Sequence, residues 1–239
     1  MSLFGAKPAP AFFKKNFRAV MTSRMTDNVI FDLDGTLLDT LADLAASVNH
    51  ALRLNSLPPR STAEVRAFLG NGARALVTHA VGGRAEGDDL ERVLADFRSH
   101  YLAHCLDTTR PYPGVAELLE RLRADGLGTA IVSNKPHAAV AELHRHFFAT
   151  LVRTAVGEGG EVRRKPDPSG VLAAVRLLGG KPDAAVYVGD SEVDLETARR
   201  AGMRCVLVSW GFRDESFLRA LPLDGTPVIS SPTQLLPLL

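Results

Sequence analysis

The sequence has little cysteine and no long apolar segment. Its two cysteines, Cys105 and Cys205, lie far apart, each among apolar residues. This pattern predicts two small buried side chains rather than a disulfide or a metal-binding pair, as is usual in a reducing cytoplasm. No run of about 18 apolar residues is present, so the sequence predicts no transmembrane helix. We therefore expect a cytoplasmic protein.

The sequence also lacks an excess of charge of either sign. Lysine and arginine together number 28 and aspartate and glutamate 27, which gives a net charge of +1. This balance indicates neither a nucleic-acid partner nor a membrane partner. With 46% hydrophobic and 23% charged residues, the composition is typical of a globular protein. The 239 residues suffice for one large domain or for a core domain with a smaller insert.

The first 26 residues contain no acidic side chain, unlike the rest of the chain. Their basic residues are Lys7, Lys14, Lys15, Arg18 and Arg24. One interpretation is a transit-like or surface-binding amphipathic stretch. The interpretation that we favour is sequence upstream of an initiator at Met21 or Met25. We treat residues 1–26 as a basic N-terminal extension without a chemical role.

Apolar runs and helical patterns alternate along most of the chain. Short buried strands are predicted at residues 29–32, 127–133, 151–156, 184–188 and 204–208 and near Val228. Helical spacing separates them, at residues 115–124, 136–146, 169–178 and 193–201. This alternation predicts an α/β fold with a doubly wound, parallel, Rossmann-like sheet.

Between residues 41 and 108 the pattern is helical throughout, with no convincing strand. Leu90, Val93, Leu94 and Phe97, for example, recur at the spacing of one helix face. We therefore predict a small helical domain over residues 41–108, inserted into a core formed by residues 27–40 and 109–239.

The stretch around which the chain is organised is residues 29–39, V-I-F-D-L-D-G-T-L-L-D. A buried strand here ends on two acids, Asp32 and Asp34. Buried strands rarely carry carboxylates unless the charges are paired or bind a metal. The alternative is an ordinary polar turn after a strand, because Asp-Gly is a common turn dipeptide.

Polar residues also follow the later strands. They are Ser133 and Asn134, the loop residue Lys165, and Asp190 with Asp194. Because ligands bind beyond the carboxyl ends of parallel strands, we expect these residues to meet at one edge of the sheet.

Aspartates from two strand ends form a set of oxygen ligands that suits Mg²⁺. Asp32 and Asp190 are the expected direct ligands, together with the backbone carbonyl of Asp34. Asp194 either contacts the metal or holds its waters; a plain helix N-terminal charge is the alternative. Ser133 and Lys165 supply a hydroxyl and a fixed positive charge for a phosphate group.

These motifs, in this order, resemble the four motifs of the haloacid-dehalogenase-like phosphatase superfamily. The resemblance implies that Asp32 is a nucleophile that forms an aspartyl-phosphate. It also implies that Asp34 protonates the leaving alcohol and then activates water. Ser133, Asn134, Lys165 and Leu33 are the predicted phosphate-binding residues. The cofactor that the resemblance implies is Mg²⁺.

The helical insert is similar to a type 1 cap, which excludes water from the site during transfer. Residues 69–73, L-G-N-G-A, are similar to the cap loop of bacterial phosphoglycolate phosphatases. The predicted substrate contacts from this region are Gly70, Asn71, Gly72 and Arg74. A plain helix–helix turn is the alternative for this loop.

The sequence therefore predicts a Mg²⁺-dependent phosphatase of a small phosphorylated metabolite, with 2-phosphoglycolate the leading candidate. A sugar-phosphate phosphatase, a pyrophosphatase and a phosphosugar mutase remain open as enzyme alternatives. A non-catalytic, phosphometabolite-binding regulatory protein is the remote alternative. The expected assembly is a monomer or a homodimer.

Overall fold

A computed structural model describes residues 26–239. The basic extension predicted over residues 1–26 lies outside these residues, apart from Thr26. Within the described residues, no helix is both long enough and apolar enough to cross a membrane. Cys105 and Cys205 are free and buried, as predicted.

Six parallel strands form the central sheet. They are β1 Asn28–Phe31, β4 Gly128–Pro136, β5 Thr154–Glu158, β6 Ala185–Gly189, β7 Arg204–Val208 and β8 Val228–Ile229. Their order across the sheet is β5-β4-β1-β6-β7-β8. β1 lies at the centre, where Phe31 pairs with Ile131 on one side and Val188 on the other. The predicted parallel sheet is confirmed.

Helices cover both faces of this sheet. They are α5 Val115–Ala124, α6 His137–Phe147, α7 Ser169–Leu177, α8 Glu192–Ala201 and the short α9 Glu215–Arg219. Alternate residues of β1 point to opposite faces. Phe31 joins the apolar core that contains α5 and α6, whereas Ile30 joins the core that contains α7 and α8. The sheet is therefore doubly wound, as the sequence predicts.

Four further helices pack together between the first strand and the rest of the core, and we call them the helical insert. They are α1 Leu41–Leu54, α2 Thr62–Phe68, α3 Gly72–Val81 and α4 Gly87–His104. A capping box starts α2, because Ser61 accepts from the Glu64 backbone while the Glu64 side chain accepts from the Ser61 backbone.

The chain enters and leaves the helical insert through two short antiparallel strands, β2 Leu38–Asp39 and β3 Arg110–Pro111. Beside them, the carboxylate of Asp43 in α1 accepts hydrogen bonds from both the backbone and the hydroxyl groups of Thr108 and Thr109. Burial by itself raises the pKa of Asp43, but these hydrogen bonds outweigh it and lower the pKa below its ordinary value. The base of the insert is thus tied to the core.

Candidate active site

A cavity of about 280 Å³ lies between the helical insert and the carboxyl edge of the sheet. The residues that the sequence predicts at the strand ends line it together: Asp32, Asp34, Ser133, Asn134, Lys165 and Asp190. Asp32 directly follows β1 and Asp190 directly follows β6. Because these two strands are neighbours and end side by side, the two aspartates lie close together. The predicted convergence at one sheet edge is present.

The floor of this cavity carries three buried carboxylates. Oxygen atoms of Asp32, Asp190 and Asp194 lie within 4.8 Å of one another. Burial is the main cause that raises the pKa of Asp32, to about 7, although the Lys165 ammonium opposes it. Burial, with the charges of Asp194 and Asp32, also raises the pKa of Asp190 well above its ordinary value. In addition to their burial, the three carboxylates share the single positive charge of Lys165 and would together be net negative when ionised.

A divalent cation fits this donor set, because Mg²⁺ prefers carboxylate oxygens and would supply the missing positive charge. The three acids are not equivalent. The Asp194 carboxylate accepts from Lys165 (2.7 Å), from Tyr187 (3.2 Å) and from the Ser191 hydroxyl (2.6 Å). Since its oxygens are already occupied, Asp194 is suited to hold its neighbours, and Asp32 and Asp190 are better placed to contact a metal.

Lys165 is buried at the centre of this floor. Its ammonium lies 2.8 Å from Asp32 Oδ1, 2.7 Å from Asp194 Oδ1 and 2.9 Å from the Tyr187 hydroxyl. Burial by itself lowers the pKa of Lys165, but Asp194 and Asp32 outweigh it and raise the pKa well above its ordinary value. The lysine therefore provides a permanent positive charge beside Asp32.

Asn134 positions this lysine. Its side-chain oxygen accepts from the Lys165 backbone at 2.6 Å, and its amide group donates to the Lys165 carbonyl at 3.2 Å. The same amide group donates to the Gly70 carbonyl of the helical insert at 3.0 Å. Asn134 thus connects the floor to the loop that covers it.

Asp34 has its own partners, which the sequence analysis did not identify. The Thr40 hydroxyl donates to Asp34 Oδ1 at 2.6 Å, and the Lys135 ammonium lies 3.1 Å from the same oxygen. Lys135 also donates to the hydroxyl of Tyr101, in α4, at 2.6 Å. The position of Lys135, directly after Ser133 and Asn134 in a buried strand, is a pattern that would have indicated it.

Glycine is needed where the chain passes closest to the acids. Gly35 has a φ of +83°, and a Cβ atom there would lie 2.2 Å from an Asp190 carboxylate oxygen. At Gly189 a Cβ atom would lie 2.3 Å from the carboxyl carbon of Asp194. Any side chain at either position would displace the acids of the floor.

Two arginines hold the helical insert over the cavity. Arg66 of α2 donates to the carbonyls of Phe212 at 2.8 Å and Gly211 at 3.1 Å. Arg213 donates to the Leu69 carbonyl at 3.0 Å and pairs with Glu192 at 2.9 Å. The loop after β7 is therefore part of the contact between core and insert.

The residues predicted from the glycine loop separate into two groups. Gly70 and Gly72, at the turn between α2 and α3, line the cavity. Asn71 is exposed and does not line it. Arg74 is also exposed, and its guanidinium pairs with Glu91 of α4 at 2.6 Å. The structure does not bring Asn71 and Arg74 to the cavity, because both lie on the outer side of the loop and α3.

Leu33, which the sequence places among the phosphate-binding residues, has a fully buried side chain. Its carbonyl accepts from the backbone of Leu37 at 3.0 Å and of Leu38 at 2.9 Å. Leu33 thus closes the turn that carries Asp34. The whole residue is buried and does not line the cavity.

Comparison with known proteins agrees with this site. The family model of haloacid dehalogenase-like hydrolases matches residues 29–208. The chain is 37% identical over 197 residues to phosphoglycolate phosphatase 1 of Pseudomonas aeruginosa, a match that covers 80% of this chain and 72% of that protein. It is 36% identical over 185 residues to N-acetylmuramic acid 6-phosphate phosphatase of the same organism, covering 77% and 82%.

Among solved structures, the chain is similar to a predicted phosphoglycolate phosphatase from Haemophilus somnus. The TM-score is 0.80 at 29% sequence identity, and the match covers 90% of this chain and 98% of that one. Both curated relatives described above are phosphatases. The chain belongs to the haloacid dehalogenase-like hydrolases, as a phosphoric monoester hydrolase.

Proposed function

We propose that this protein hydrolyses 2-phosphoglycolate to glycolate and phosphate. The observation that carries the proposal is the meeting of Asp32, Asp34, Ser133, Lys165 and Asp190 in one cavity. The similarity to phosphoglycolate phosphatases supports this choice of substrate.

In the proposed mechanism, a carboxylate oxygen of Asp32 attacks phosphorus and the bond to the leaving oxygen breaks. Asp34 gives its proton to that oxygen, so the product leaves as an alcohol. Asp34 then removes a proton from water, which attacks the phosphorus of the aspartyl-phosphate and regenerates Asp32. Lys165 balances negative charge on the transferring group, and the Ser133 hydroxyl donates to one of its oxygens.

The proposed cofactor is Mg²⁺, held by Asp32, Asp190 and the backbone carbonyl of Asp34, with Asp194 orienting this shell. When bound, the cation supplies positive charge that lowers the repulsion between the nucleophile and the phosphate. Asp32 can then stay ionised in spite of the burial that raises its pKa.

We further propose that residues 41–108 act as a cap on a core formed by residues 27–40 and 109–239. Three of its four helices, α1, α3 and α4, line the cavity, together with the turn between α2 and α3. Arg66, Arg213 and Asn134 form hydrogen bonds between the insert and the core. These bonds would break when the cap opens and form again when it closes. A closed cap excludes water from Asp32 while phosphoryl transfer takes place.

A sugar-phosphate phosphatase is the second candidate. The cavity of about 280 Å³ exceeds what a glycolate group fills. Apolar side chains from the helical insert, among them Leu76 and Phe97, also line the cavity. The relative that acts on a sugar phosphate is almost as similar to this chain as the phosphoglycolate phosphatases are.

Phosphate release with Mg²⁺ tests the proposal, across 2-phosphoglycolate, hexose phosphates, nucleotides and pyrophosphate. We expect kcat/KM for 2-phosphoglycolate to exceed the others by more than about tenfold, a difference of about 1.4 kcal/mol. Preference for a hexose phosphate would favour the second candidate. Release from no compound would contradict a hydrolase and favour the phosphometabolite-binding alternative. Asp32→Asn is the inactive control, and Asp88→Asn, exposed at the start of α4, is the matched active one.

A further inference from the structure

Two lysines are buried in the cavity, and their ammonium groups are used differently. Lys165 contacts three acceptors, on Asp32, Asp194 and Tyr187, and these match its three N–H donors. Lys135 is equally buried, with 6% of its surface exposed. Its ammonium contacts only two acceptors among the described residues, Asp34 at 3.1 Å and Tyr101 at 2.6 Å. One N–H donor of Lys135 is therefore available to a ligand.

The surroundings of Lys135 make an available donor there unusual. Lys135 lines the cavity, and its ammonium lies 4.1 Å from the centre of the Tyr101 ring. Several other lining residues are apolar, including Leu76, Phe97 and Ala139. A charge buried this deeply interacts strongly with an anion and poorly with a neutral group.

Two other cations line the cavity, but neither resembles Lys135. Arg213 is committed to Glu192 and to the Leu69 carbonyl. Arg98 of α4 is exposed, so solvent screens its charge. Of the described cations that line the cavity, Lys135 is the one that is buried and keeps an N–H donor without a protein acceptor.

The location of Lys135 relative to Asp34 indicates which group of the substrate would lie next to it. In the proposed function Asp34 protonates the leaving oxygen, so that oxygen lies beside Asp34, and Lys135 is 3.1 Å from the same carboxylate. In 2-phosphoglycolate a single methylene separates the leaving oxygen from the carboxylate. That carboxylate then falls next to Lys135, whereas the phosphoryl group remains on the side of Lys165.

We propose that Lys135 is the specificity-determining residue of this enzyme and binds the carboxylate of a 2-hydroxy acid leaving group, with Tyr101 holding its ammonium in place. This inference rests on the proposed function, because it assumes that the substrate is a phosphate ester of such an acid. It explains why a cation is buried beside the acid–base aspartate instead of an apolar side chain. It also makes the helical insert part of substrate recognition, through Tyr101.

The test compares 2-phosphoglycolate with 2-hydroxyethyl phosphate, which replaces the carboxylate with a neutral CH₂OH group and keeps an alkyl leaving group. The measured quantity is the ratio of kcat/KM for the acidic ester to that for the neutral one. Lys135→Met is expected to lower this ratio at least about 30-fold, corresponding to about 2 kcal/mol. Tyr101→Phe is expected to lower it about threefold, because the lysine loses one anchor. Lys181→Met, at an exposed position far from the cavity, is the matched control and leaves the ratio unchanged.

Thermal unfolding of each variant shows whether it is folded. If Lys135→Met does not fold, Lys135→Gln replaces it in the test, because glutamine keeps a polar group opposite Asp34. If Lys135→Met and Lys135→Gln lower kcat/KM equally for both esters, Lys135 acts by positioning Asp34, and the inference is wrong although the proposed function stands. If the wild type hydrolyses the neutral ester but not 2-phosphoglycolate, the proposed substrate is wrong and the inference falls with it.

Discussion

Two aspartate–lysine pairs line the same cavity, and different parts of the molecule hold them. The pair of Asp32 and Lys165 lies entirely in the core, where Asp194 and Asn134 fix the lysine. The pair of Asp34 and Lys135 extends into the helical insert, because Lys135 is anchored on Tyr101 of α4. The first pair contains only residues of the core, and the second depends also on the position of the insert.

This difference separates two tasks. A nucleophile and its charge partner need a fixed geometry, which strand ends and buried hydrogen bonds provide. In the mechanism proposed above, Asp34 protonates leaving groups that differ from one substrate to another. Because its partner Lys135 contacts Tyr101 of the insert, proton transfer would then depend on the position of the insert. Substitutions in the two pairs are therefore expected to have different dependences on the substrate.

The largest expected effects come from replacing Asp32 or Asp34 with asparagine. Asp32→Asn removes the nucleophile and is expected to lower kcat by at least about 10⁴-fold for every phosphate ester. Asp34→Asn is expected to lower kcat/KM by about 10²- to 10⁴-fold for alkyl phosphates, which need a proton on the leaving oxygen. For p-nitrophenyl phosphate the loss of kcat/KM is smaller, because nitrophenolate leaves without a proton. Because kcat/KM does not include the later step in which Asp34 activates water, equal losses on both kinds of ester would contradict its role as the acid.

Lys165→Met is expected to have the next largest effect. Without the ammonium group, kcat/KM falls by about 10²- to 10³-fold on acidic and neutral esters alike, since the lysine acts on the phosphoryl group. The variant also leaves buried carboxylates without their counter-charge, which destabilises the metal-free protein by about 3 kcal/mol. Steady-state kinetics and urea unfolding check the two effects, with Lys181→Met as the control. An unchanged kcat/KM would remove Lys165 from the site.

Asp43→Asn is expected to have the smallest effect, and it tests the base of the insert without changing either aspartate–lysine pair. An asparagine keeps one acceptor but places an NH₂ group against the donors of Thr108 and Thr109, so we expect a loss of about 1–3 kcal/mol in unfolding free energy. Because the pKa of Asp43 is lowered on folding, its contribution is present above the pKa of an unfolded aspartate, about 4. It is lost as the pH falls through the lower, folded value.

Unfolding free energies at several pH values check this prediction. The wild type should lose stability more steeply than Asp43→Asn below about pH 4. Asp88→Asn, in which the exchanged aspartate is exposed, should behave like the wild type. Parallel curves for all three proteins would show that Asp43 does not secure the base of the insert.

The strands and the acids were predictable because each depends on local sequence. Buried parallel strands are short and apolar, so Asp32 and Asp190 stand out at their ends. Boundaries were less accurate. The strand predicted at 151–156 is Thr154–Glu158, since Val152 is buried by packing before the strand begins. The strand predicted to end at residue 133 continues to Pro136, so Ser133 and Asn134 lie within it.

Contacts between distant parts of the chain were not predictable. Tyr101 has the spacing of a core residue on an amphipathic helix, and nothing local shows that its hydroxyl meets Lys135. Arg74 was expected at the substrate because it follows the glycine loop, but its guanidinium pairs with Glu91 across the insert. The two-residue strands β2 and β3 have no periodicity to detect, and only their pairing in the fold defines them.

The antiparallel pairing of β2 with β3 has a topological consequence. Leu38 lies opposite Pro111 and Asp39 lies opposite Arg110, so the two crossings into the helical insert are neighbouring strands about 5 Å apart. A two-residue turn spans such a gap. If the segment between Asp39 and Arg110 were replaced by an Asn-Gly dipeptide, the two strands would become the arms of a β-hairpin. The core would remain one continuous chain, and the acids at the edge of its sheet would be open to water.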